Sequence, residues 1–339
     1  MKKIIAGLTL VAIIAGLILV AVGSFTWTIN GTGASFPYPV YKQAMTSFYH
    51  DTKNQVNYTA TGSGTGIKEI YKRHVNFAGT DKPLKPKTLR KHGLYMFPTV
   101  VGGIVFGYNI PGVSHLKLSE TAIKGIVLGT IKYWDNPVIA AANKGIKLPH
   151  KEIIFVHRSD KSGTTFNFTY YLSKMCKTWR KTHGARKYVN WPTDKQGRGI
   201  AGKGNFGVSA AIKTNNYSIG YVDYADAVKN KLNMASVQAR DGKYADPTPA
   251  DFAKGAAYAG FSPKRDFYKI IAYPKKGYPI IAATFILVPK EHKDTDKKVT
   301  TFFNYLYNHD EFASKLGYVP LPTSVKNQVR AYWAEKGIK

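Results

Sequence analysis

Hydroxyl side chains, glycines and one arginine are concentrated in three short stretches of the sequence, and together they have the chemistry of an anion site. The stretches are GTGASFPYPVY, ATGSGTGIKEIYKR and HRSDKSGTTFNF, at residues 31–41, 60–73 and 157–168. Each places Ser or Thr where a helix N-cap belongs, beside glycines that allow close approach of the backbone. A helix start carries unpaired N–H groups and partial positive charge, so added hydroxyl donors favour an anion.

A single start of this kind is usually ordinary helix capping, and that interpretation stays open for each stretch taken alone. The third stretch adds Arg158, whose planar guanidinium suits two oxygens of an oxyanion. Three such starts favour one anion site, provided that the fold brings them together. Between the second and third stretches, Asp81 lies in NFAGTDKPL, where on its own it is typical of a turn before Lys-Pro.

Two patterns that suggest catalysis are incomplete. GRGIAGKG at 197–204 approaches a P-loop, but Gly204 stands where the Mg²⁺-binding hydroxyl belongs, and WPTDKQ rather than a strand precedes it. We interpret it as a loop before a helix in NFGVSAAIK. His157 lies five residues before Ser162 with nothing to indicate contact, and the nine histidines form no H-x-x-x-H or H-x-H pair. The sequence therefore predicts no catalytic residue, no metal site and no cofactor.

The elements that would position these residues alternate between strand-like and helix-like segments, which predicts an α/β protein. The predicted strands are residues 100–110, 153–157, 218–224, 269–273 and 280–289. The predicted helices outside the polar stretches are residues 38–51, 297–308 and 324–337. The 339 residues suffice for roughly two domains.

The charge is strongly basic, with 49 Lys and Arg against 20 Asp and Glu and a net charge of +29. The basic residues are spread from Lys2 to Lys339, which argues against a nucleic-acid-binding tail. Few carboxylates mean little stability to lose as pH falls. We therefore hypothesise an acidic exterior environment, and a surface facing anionic lipid is the rival explanation. The single cysteine, Cys176, excludes an internal disulfide and is expected in the core.

The N-terminus reads MKKIIAGLTLVAIIAGLILVAVG, two lysines before a long apolar run. This pattern predicts that residues 1–27 direct export, either as a cleaved signal peptide or as an uncleaved membrane anchor. In both cases the rest of the chain works outside the cytoplasm.

In their order along the chain, these segments resemble the phosphate-binding protein of phosphate-specific ABC transporters, the PstS family. The resemblance runs from about residue 30 to the C-terminus. It rests on GTGASFPYPVY, VNYTATGSGTGIKEI, NFAGTDKPL, FPTVVGGIVFGYNIPG, LGTIKYWDNP, RSDKSGTTFNFTYYLSK, IGYVDY, TFILVPK and LGYVPLP.

The resemblance implies an α/β fold of the two-lobed periplasmic-binding-protein type (type II), with hinge crossings and the ligand in the cleft between the lobes. The first lobe would comprise residues 28–101 and 280–339, and the second residues 102–279. The crossings would fall in PTVVGG and YPIIAATF.

The resemblance also implies which residues contact phosphate. Ser35 would use its hydroxyl and Phe36 its backbone N–H, and Asp81 would be the acceptor. Asp160 would pair with Arg158 and hold its plane. The remaining expected contacts are Ser63, Arg158, Ser162, Gly163 and Thr164.

Asp81 would discriminate between oxyanions. A carboxylate accepts a hydrogen bond from a protonated phosphate oxygen, whereas sulfate has no such proton near neutral pH. An unsatisfied buried polar group can reject the wrong ligand by a factor of roughly 10⁴. In acid, Asp81 would keep this role while it stays ionised.

The implied partners are inorganic phosphate and the permease and ATPase subunits of an ABC importer, with the membrane as a further partner if the N-terminus is uncleaved. No nucleic-acid partner is expected, and the protein is expected to be a monomer. Two alternatives stay open: a binding protein for another oxyanion, and a surface phosphate sensor or adhesin without transport. A phosphatase is disfavoured.

Overall fold

The computed structural model describes residues 26–339. In this part of the chain the β-strands are β1 Thr28–Gly33, β2 Gln55–Thr59, β3 Phe77–Thr80, β4 Leu94–Asn109, β5 Lys117–Leu118, β6 Ile154–Arg158, β7 Gly199–Gly202, β8 Ser218–Asp223, β9 Asn233–Met234, β10 Ser236–Gln238, β11 Tyr244–Ala245, β12 Ile281–Pro289 and β13 Val319–Pro320.

The α-helices of the same part are α1 Tyr38–Thr52, α2 Ser63–Tyr71, α3 Pro86–Lys91, α4 Glu120–Val127, α5 Pro137–Ala140, α6 Gly163–Met175, α7 Lys177–Thr182, α8 Gly204–Thr214, α9 Tyr224–Lys229, α10 Pro249–Ala256, α11 Lys293–Asn308, α12 Glu311–Ser314 and α13 Thr323–Glu335. Strands and helices alternate through most of the chain, as the sequence predicts.

The large sheet has the strand order β2-β1-β3-β12-β4-β8-β6-β7. At one end β1 runs parallel to β2 and β3, and at the other β6 runs parallel to β7 and β8. Two antiparallel strands, β12 and β4, lie between these groups. We call the part built on β1, β2, β3, β12 and β13 the first lobe, and the part built on β6, β7 and β8 the second lobe.

The long strand β4 belongs to both lobes. It pairs with β12 as far as Gly103, and from Ile104 onward it pairs with β8. This change of partner lies within PTVVGG and just beyond it, where the sequence places a crossing. The lobe boundaries at residues 101 and 280 themselves stay predictions.

The parallel strands explain why polar turns from distant parts of the chain meet. β1 and β3 end at Gly33 and Thr80, and β6 and β7 end at Arg158 and Gly202. The turns that follow these four ends all contribute to one cluster between the lobes, which is described below. In open α/β sheets, ligands bind outside the carboxyl ends of the strands.

The buried apolar side chains form one cluster that runs through both lobes. Trp134, Trp179, Trp191 and Trp333 are all fully buried within it. Cys176 is also buried, between α6 and α7, where its sulfur accepts a hydrogen bond from the Trp179 N–H at 3.4 Å. Its placement agrees with the expectation of a core cysteine.

Two local predictions are wrong. Residues 269–273 form no strand: Ile271 and Ala272 are buried, but Tyr273 has a φ of +63° and Pro274 follows, so the backbone cannot continue as a ladder. Residues 199–202 are the strand β7 and not part of a loop. In the latter case the short run GIAG is too small and too glycine-rich to show a strand pattern, and parallel pairing with β6 imposes it.

The predicted export segment at residues 1–27 falls almost entirely outside the described residues, which begin at 26. Within residues 26–339, no helix combines the length and the apolar character needed to cross a membrane.

Candidate anion-binding site

The turn from β1 to α1 brings Ser35 and Phe36 to the boundary between the lobes. Ser35 does not cap α1, because Pro37 stands at the N-cap and no side chain bonds the first turn. Instead, the Ser35 hydroxyl accepts hydrogen bonds from the backbone N–H of Asn205 at 3.1 Å and from its side-chain amide at 3.3 Å. The hydroxyl of the first stretch therefore faces the second lobe.

In the turn before α2 the serine likewise does not cap its helix. Gly62 occupies the N-cap with a φ of +94°, and Ser63 is the first helical residue. The Ser63 hydroxyl accepts a hydrogen bond from the Asp81 N–H at 3.2 Å. The expectation that Ser or Thr caps each of the three helices is wrong for α1 and α2, because a proline and a glycine take those positions.

The turn from β6 to α6 has the predicted cap. Ser162 is the N-cap of α6, and its hydroxyl accepts a hydrogen bond from the Thr165 N–H at 3.1 Å. Gly163 and Thr164 follow as the first helical residues, and Ser162 and Thr164 are fully buried. The first N–H groups of α6 therefore point at the boundary between the lobes.

Arg158 and Asp160 form a two-point ion pair. The Arg158 Nε and Nη2 groups donate to the two oxygens of Asp160, each at 2.7 Å. The remaining Nη1 group lies 3.4 Å from the Thr164 hydroxyl and 3.3 Å from the Asn205 side-chain oxygen. Burial alone would raise the pKa of Asp160, but the Arg158 guanidinium outweighs it and lowers that pKa below its ordinary value. The pair fixes the guanidinium plane and leaves Nη1 toward the cluster.

Asp81, directly after β3, is a buried carboxyl at the boundary between the lobes. One of its oxygens accepts a hydrogen bond from the Thr284 hydroxyl at 2.7 Å. Burial raises the pKa of Asp81 to about 7, against the lowering effects of the Thr284 hydrogen bond, the Arg158 charge and the Ser63 hydroxyl. Burial therefore favours the protonated carboxyl, whereas these three neighbours favour the ionised one.

The two lobes touch directly around these residues. A methyl group on Gly163 would lie 2.4 Å from the Ser63 hydroxyl and 2.6 Å from an Asp81 oxygen. The Gly64 N–H donates to the Lys161 carbonyl at 2.8 Å, and the Asn167 amide donates to the Asp81 carbonyl at 2.7 Å. The structure is thus a closed arrangement in which the polar turns of both lobes face one another.

Residues Ser35, Ser63, Asp81, Arg158, Asp160, Ser162, Gly163 and Thr164 are brought together, and Phe36 is buried beside them with its carbonyl bonded to the Tyr318 hydroxyl at 2.6 Å. We call this set, with Asn205, the interlobe cluster. Its chemistry is that of an oxyanion site: one guanidinium paired with the Asp160 carboxylate, several hydroxyl and N–H donors, and the separate carboxyl of Asp81.

Asn205 is the member that sequence reasoning missed. It lies in α8, just after the turn from β7, and bonds Ser35, Thr164 and Arg158. At this turn the Gly204 N–H also donates to Asp160 at 3.2 Å. The signal was present, since GKGN is a polar, glycine-rich helix start like the other three. The sequence alone gives this start no weight, because GIAG in front of it carries no strand pattern.

His157 and Ser162, the pair considered as a catalytic pattern, have separate hydrogen-bond partners. The buried His157 bonds Asp194 at 2.8 Å through Nε2, and its Nδ1 lies 3.2 Å from the Arg158 carbonyl. The Ser162 hydroxyl is engaged as a helix cap. Among residues 26–339, no group of three or more His, Cys, Asp or Glu side chains is arranged to hold a metal ion.

Comparison with known proteins places the chain among relatives of one kind. Residues 21–310 match the model of the PBP superfamily domain. The chain is 41% identical over 313 residues to the phosphate-binding protein PstS of Pasteurella multocida, with 90% of each chain covered. It is 40% identical to the phosphate-binding protein PstS of Haemophilus influenzae, with 90% of this chain and 92% of that protein covered.

Among solved structures, the chain is similar to a high-affinity periplasmic phosphate-binding protein (PfluDING) bound with phosphate. The TM-score is 0.71 at 22% sequence identity, over 90% of this chain and 93% of that chain. At this identity the likeness shows the fold alone. The predicted α/β fold of two lobes is confirmed.

Proposed function

The chain belongs to the PstS family of the PBP superfamily, and from that premise we propose that it is an extracytoplasmic receptor that binds inorganic phosphate for an ABC-type importer. The observation that supports this most directly is the interlobe cluster, in which donors from four helix starts surround the Arg158–Asp160 ion pair and the Asp81 carboxyl. In this proposal Ser35, Ser63, Ser162 and Thr164 donate their hydroxyl groups, and Phe36 and Gly163 their N–H groups, to phosphate oxygens.

Arg158 supplies the positive charge. Because Asp160 bonds two edges of the guanidinium at 2.7 Å, the side chain has little freedom to turn away from the ligand. Removing a doubly charged anion from water is costly, so nearly every oxygen lone pair needs a donor. A preorganised guanidinium with surrounding helix N–H groups meets that need.

Asp81 supplies the selectivity. An ionised Asp81 accepts a hydrogen bond from a protonated phosphate oxygen and repels sulfate, which offers no proton. The Thr284 hydroxyl and the Arg158 charge favour the ionised form, against the burial that raises the pKa of Asp81 to about 7. A ligand that brings its own proton stabilises the ionised carboxyl further.

Closure of the lobes completes the site. We propose that β4 and β12 act as the hinge crossings, with the first lobe comprising residues 28–101 and 280–339 and the second residues 102–279. Direct contacts such as Gly64 to Lys161 then form only when both sets of turns meet the ligand. Phosphate would bind in the open form and be enclosed as the lobes close.

The proposal extends to partners and location. The receptor would deliver phosphate to permease and ATPase subunits as a monomer, and residues 1–27 would export it or anchor it to the membrane. It would act as a binding protein without enzymatic activity, because His157 and Ser162 have other partners. An acidic exterior is part of this proposal.

The test is calorimetric titration of the purified protein with phosphate and with sulfate at pH 7. We expect tight phosphate binding with a stoichiometry of one and sulfate binding weaker by about 10³-fold or more. An Arg158→Met variant should lose phosphate binding and keep its fold. Absence of phosphate binding to well-folded protein would refute the proposal, and tight binding of sulfate or molybdate instead would establish a receptor for another oxyanion.

A further inference from the structure

A hydrogen-bonded chain joins the lobes beside the interlobe cluster. The Tyr318 hydroxyl lies 2.6 Å from the Phe36 carbonyl oxygen and 3.1 Å from an oxygen of Asp223. Tyr318 and Phe36 belong to the first lobe, whereas Asp223 ends β8 in the second. All three residues are buried, so this contact crosses the boundary between the lobes out of reach of solvent.

The number of available protons decides which of these two contacts of the Tyr318 hydroxyl can be hydrogen bonds. Tyr318 has one hydroxyl proton and two oxygens in reach, and the Phe36 carbonyl is the nearer of them. If Tyr318 donates to Phe36, the contact with Asp223 is a hydrogen bond only when the Asp223 carboxyl carries a proton and donates it. With an ionised Asp223, one of the two short contacts would join two acceptors without a proton.

The surroundings of Asp223 favour the protonated carboxyl. The oxygen that contacts Tyr318, Oδ1, also accepts a hydrogen bond from the Asp226 N–H at 3.0 Å, and Oδ2 has no partner among the described residues. Burial, and then the charge of Asp226, raise the pKa of Asp223. The titratable groups that act on Asp223 directly are Asp226 on α9 and Tyr318. Lys229 on α9 and Arg158 on β6 act on Asp226, and Asp81 after β3 acts on Tyr318.

We propose that Tyr318 and Asp223 are positioning residues for phosphate binding: the protonated Asp223 donates to Tyr318, Tyr318 donates to Phe36, and this clasp holds the Ser35–Phe36 turn on the ligand when the lobes close. The proposal rests on the proposed function. In this proposal the clasp sets the residence time of phosphate. It exists only in the closed form, so it must break before phosphate is released.

The packing around Phe36 supports a positioning role. The rings of Phe36 and Tyr318 meet edge to face with centroids 5.6 Å apart. Gly102, in the crossing strand β4, is what leaves room for them: a methyl group there would lie 2.8 Å from the Tyr318 ring and 2.9 Å from the Phe36 ring. The Phe36 carbonyl and ring are therefore both held by Tyr318, which orients the turn that carries the Ser35 hydroxyl.

The pH dependence has a definite sign. The proposal implies that closure buries Asp223 and so makes its pKa higher in the closed than in the open form. The clasp is therefore complete in acid, and its contribution is lost as pH rises through the pKa of the closed form. An Asp223→Asn variant carries an amide that donates at every pH, so it mimics the protonated acid.

The experiment measures phosphate association and dissociation rates by stopped flow at pH 5, 6.5 and 8. The proteins are the wild type, Tyr318→Phe, Asp223→Asn and Asp223→Ala. Tyr258→Phe, which removes a hydroxyl from an exposed tyrosine, is the matched control. Because Asp81 titrates in all of them, each rate is compared with the wild type at the same pH.

Tyr318→Phe should dissociate phosphate about tenfold faster, with the association rate changed less than twofold, because it leaves the buried Phe36 carbonyl unpaired. Asp223→Asn should match the wild type at pH 5 and hold phosphate longer than the wild type at pH 8. Asp223→Ala should resemble Tyr318→Phe, and Tyr258→Phe the wild type.

Wild-type dissociation rates in Tyr318→Phe at all three pH values would overturn the proposal. So would an Asp223→Asn protein that releases phosphate as fast as Asp223→Ala. If Tyr318→Phe does not fold, the proposal is tested by the dissociation rates of Asp223→Asn and Asp223→Ala alone. Failure of the wild type to bind phosphate would refute the proposed function itself, and the wild-type association measurement shows it before any variant is compared.

Discussion

At Asp81, burial and neighbouring donors act in opposite directions. Burial raises its pKa to about 7, while Thr284, Arg158 and Ser63 favour the ionised form. A carboxyl poised in this way can change between acceptor and donor over a physiological range of pH. In the proposed function, the residue that accepts the ligand's proton is thus also one whose own protonation depends on pH.

Asp81→Asn should relax the selectivity of the site. The amide donates to sulfate and no longer repels it, so the ratio of phosphate to sulfate affinity should fall by about 100-fold or more. Calorimetric titration at pH 8 with both anions measures the ratio. Asp135→Asn, at a surface acid outside the interlobe cluster, is the control. An unchanged ratio in Asp81→Asn would remove Asp81 from the selectivity mechanism.

The wild-type selectivity should itself depend on pH. Because the pKa of Asp81 is raised to about 7, the carboxyl takes up a proton as pH falls from 8 to 5 and ceases to repel sulfate. The phosphate-to-sulfate ratio should therefore fall over that range in the wild type and stay level in Asp81→Asn. Equal slopes in the two proteins would contradict this assignment.

Asn205→Ala should weaken phosphate binding by about tenfold, because Arg158 Nη1 and the Ser35 and Thr164 hydroxyls each lose a partner that holds them in place. Affinity is measured by titration, and the midpoint of thermal unfolding without phosphate checks the fold. Asn216→Ala, exposed just beyond α8, is the matched control. Full affinity in Asn205→Ala would show that the hydroxyls need no support from α8.

At the scale of elements, the four helix starts use their polar residues differently. Ser162 caps α6, whereas the N-caps Pro37 and Gly62 leave Ser35 and Ser63 free to face the opposite lobe. Helices whose first turns are not satisfied by their own side chains have N–H groups available for a ligand. The same local motif therefore serves stability at α6 and contact between lobes at α1 and α2.

Gly163→Ala tests whether the start of α6 must meet the first lobe. The added methyl would overlap the Ser63 hydroxyl and the Asp81 carboxylate, at 2.4 and 2.6 Å, so the lobes could not close fully. Phosphate affinity should fall by roughly 100-fold, while the unliganded protein, free to open, should unfold at nearly the wild-type temperature.

The control is Gly242→Ala, between β10 and β11, where an added methyl meets nothing within 4 Å. Its positive φ of +83° makes it a demanding control for the backbone cost of replacing glycine. Tight phosphate binding by Gly163→Ala would mean that the ligand-bound form is more open than this structure.

At the scale of the whole molecule, the buried carboxyls favour folding at low pH, and so does the small number of acidic residues in this basic chain. Burial raises the pKa values of Asp81, Asp223, Asp226 and Asp296, so the folded state binds protons more tightly than the unfolded chain at these four positions. Such groups contribute stability at low pH that is lost as pH rises through their folded-state pKa values. The stability of the fold thus supports the proposal of an acidic exterior, whereas sulfate rejection by Asp81 requires its ionised form.

The midpoint of thermal unfolding without phosphate should therefore be higher at pH 5 than at pH 8. Asp296→Asn should remove part of the difference. Both Asp296 oxygens are buried and have no partner among residues 26–339, and burial raises the pKa of Asp296 to about 7. The variant should gain stability relative to the wild type at pH 8 and not at pH 5. Calorimetry across this range measures both.

Asp294→Asn, an acid in the first turn of the same helix, is the control for a change of charge in α11. A wild-type midpoint that falls steadily from pH 8 to pH 5 would contradict the prediction. That outcome would mean that paired carboxylates with lowered pKa values, such as Asp160, dominate the stability instead.

Much of this protein follows from its sequence, because the relevant signals are short-range. Apolar spacing predicts α1, α11 and α13, and β-branched runs predict β6, β8 and β12 to within a few residues. The polar helix starts were recognisable as candidate donors from Gly, Ser and Thr next to such elements. The ordered motifs predicted the family, which the relatives confirm.

Only the tertiary structure decided which side chains meet. Ser35 and Asn205 are 170 residues apart, and Thr284 reaches Asp81 across 203 residues, so no local spacing predicts either bond. The strand β7 exists because β6 offers it a parallel partner, although its own residues carry no strand pattern. The Phe36–Tyr318–Asp223 chain likewise arises where β4 passes from one lobe to the other. Local propensity acts over a few residues, whereas contact between lobes depends on how the whole sheet is ordered.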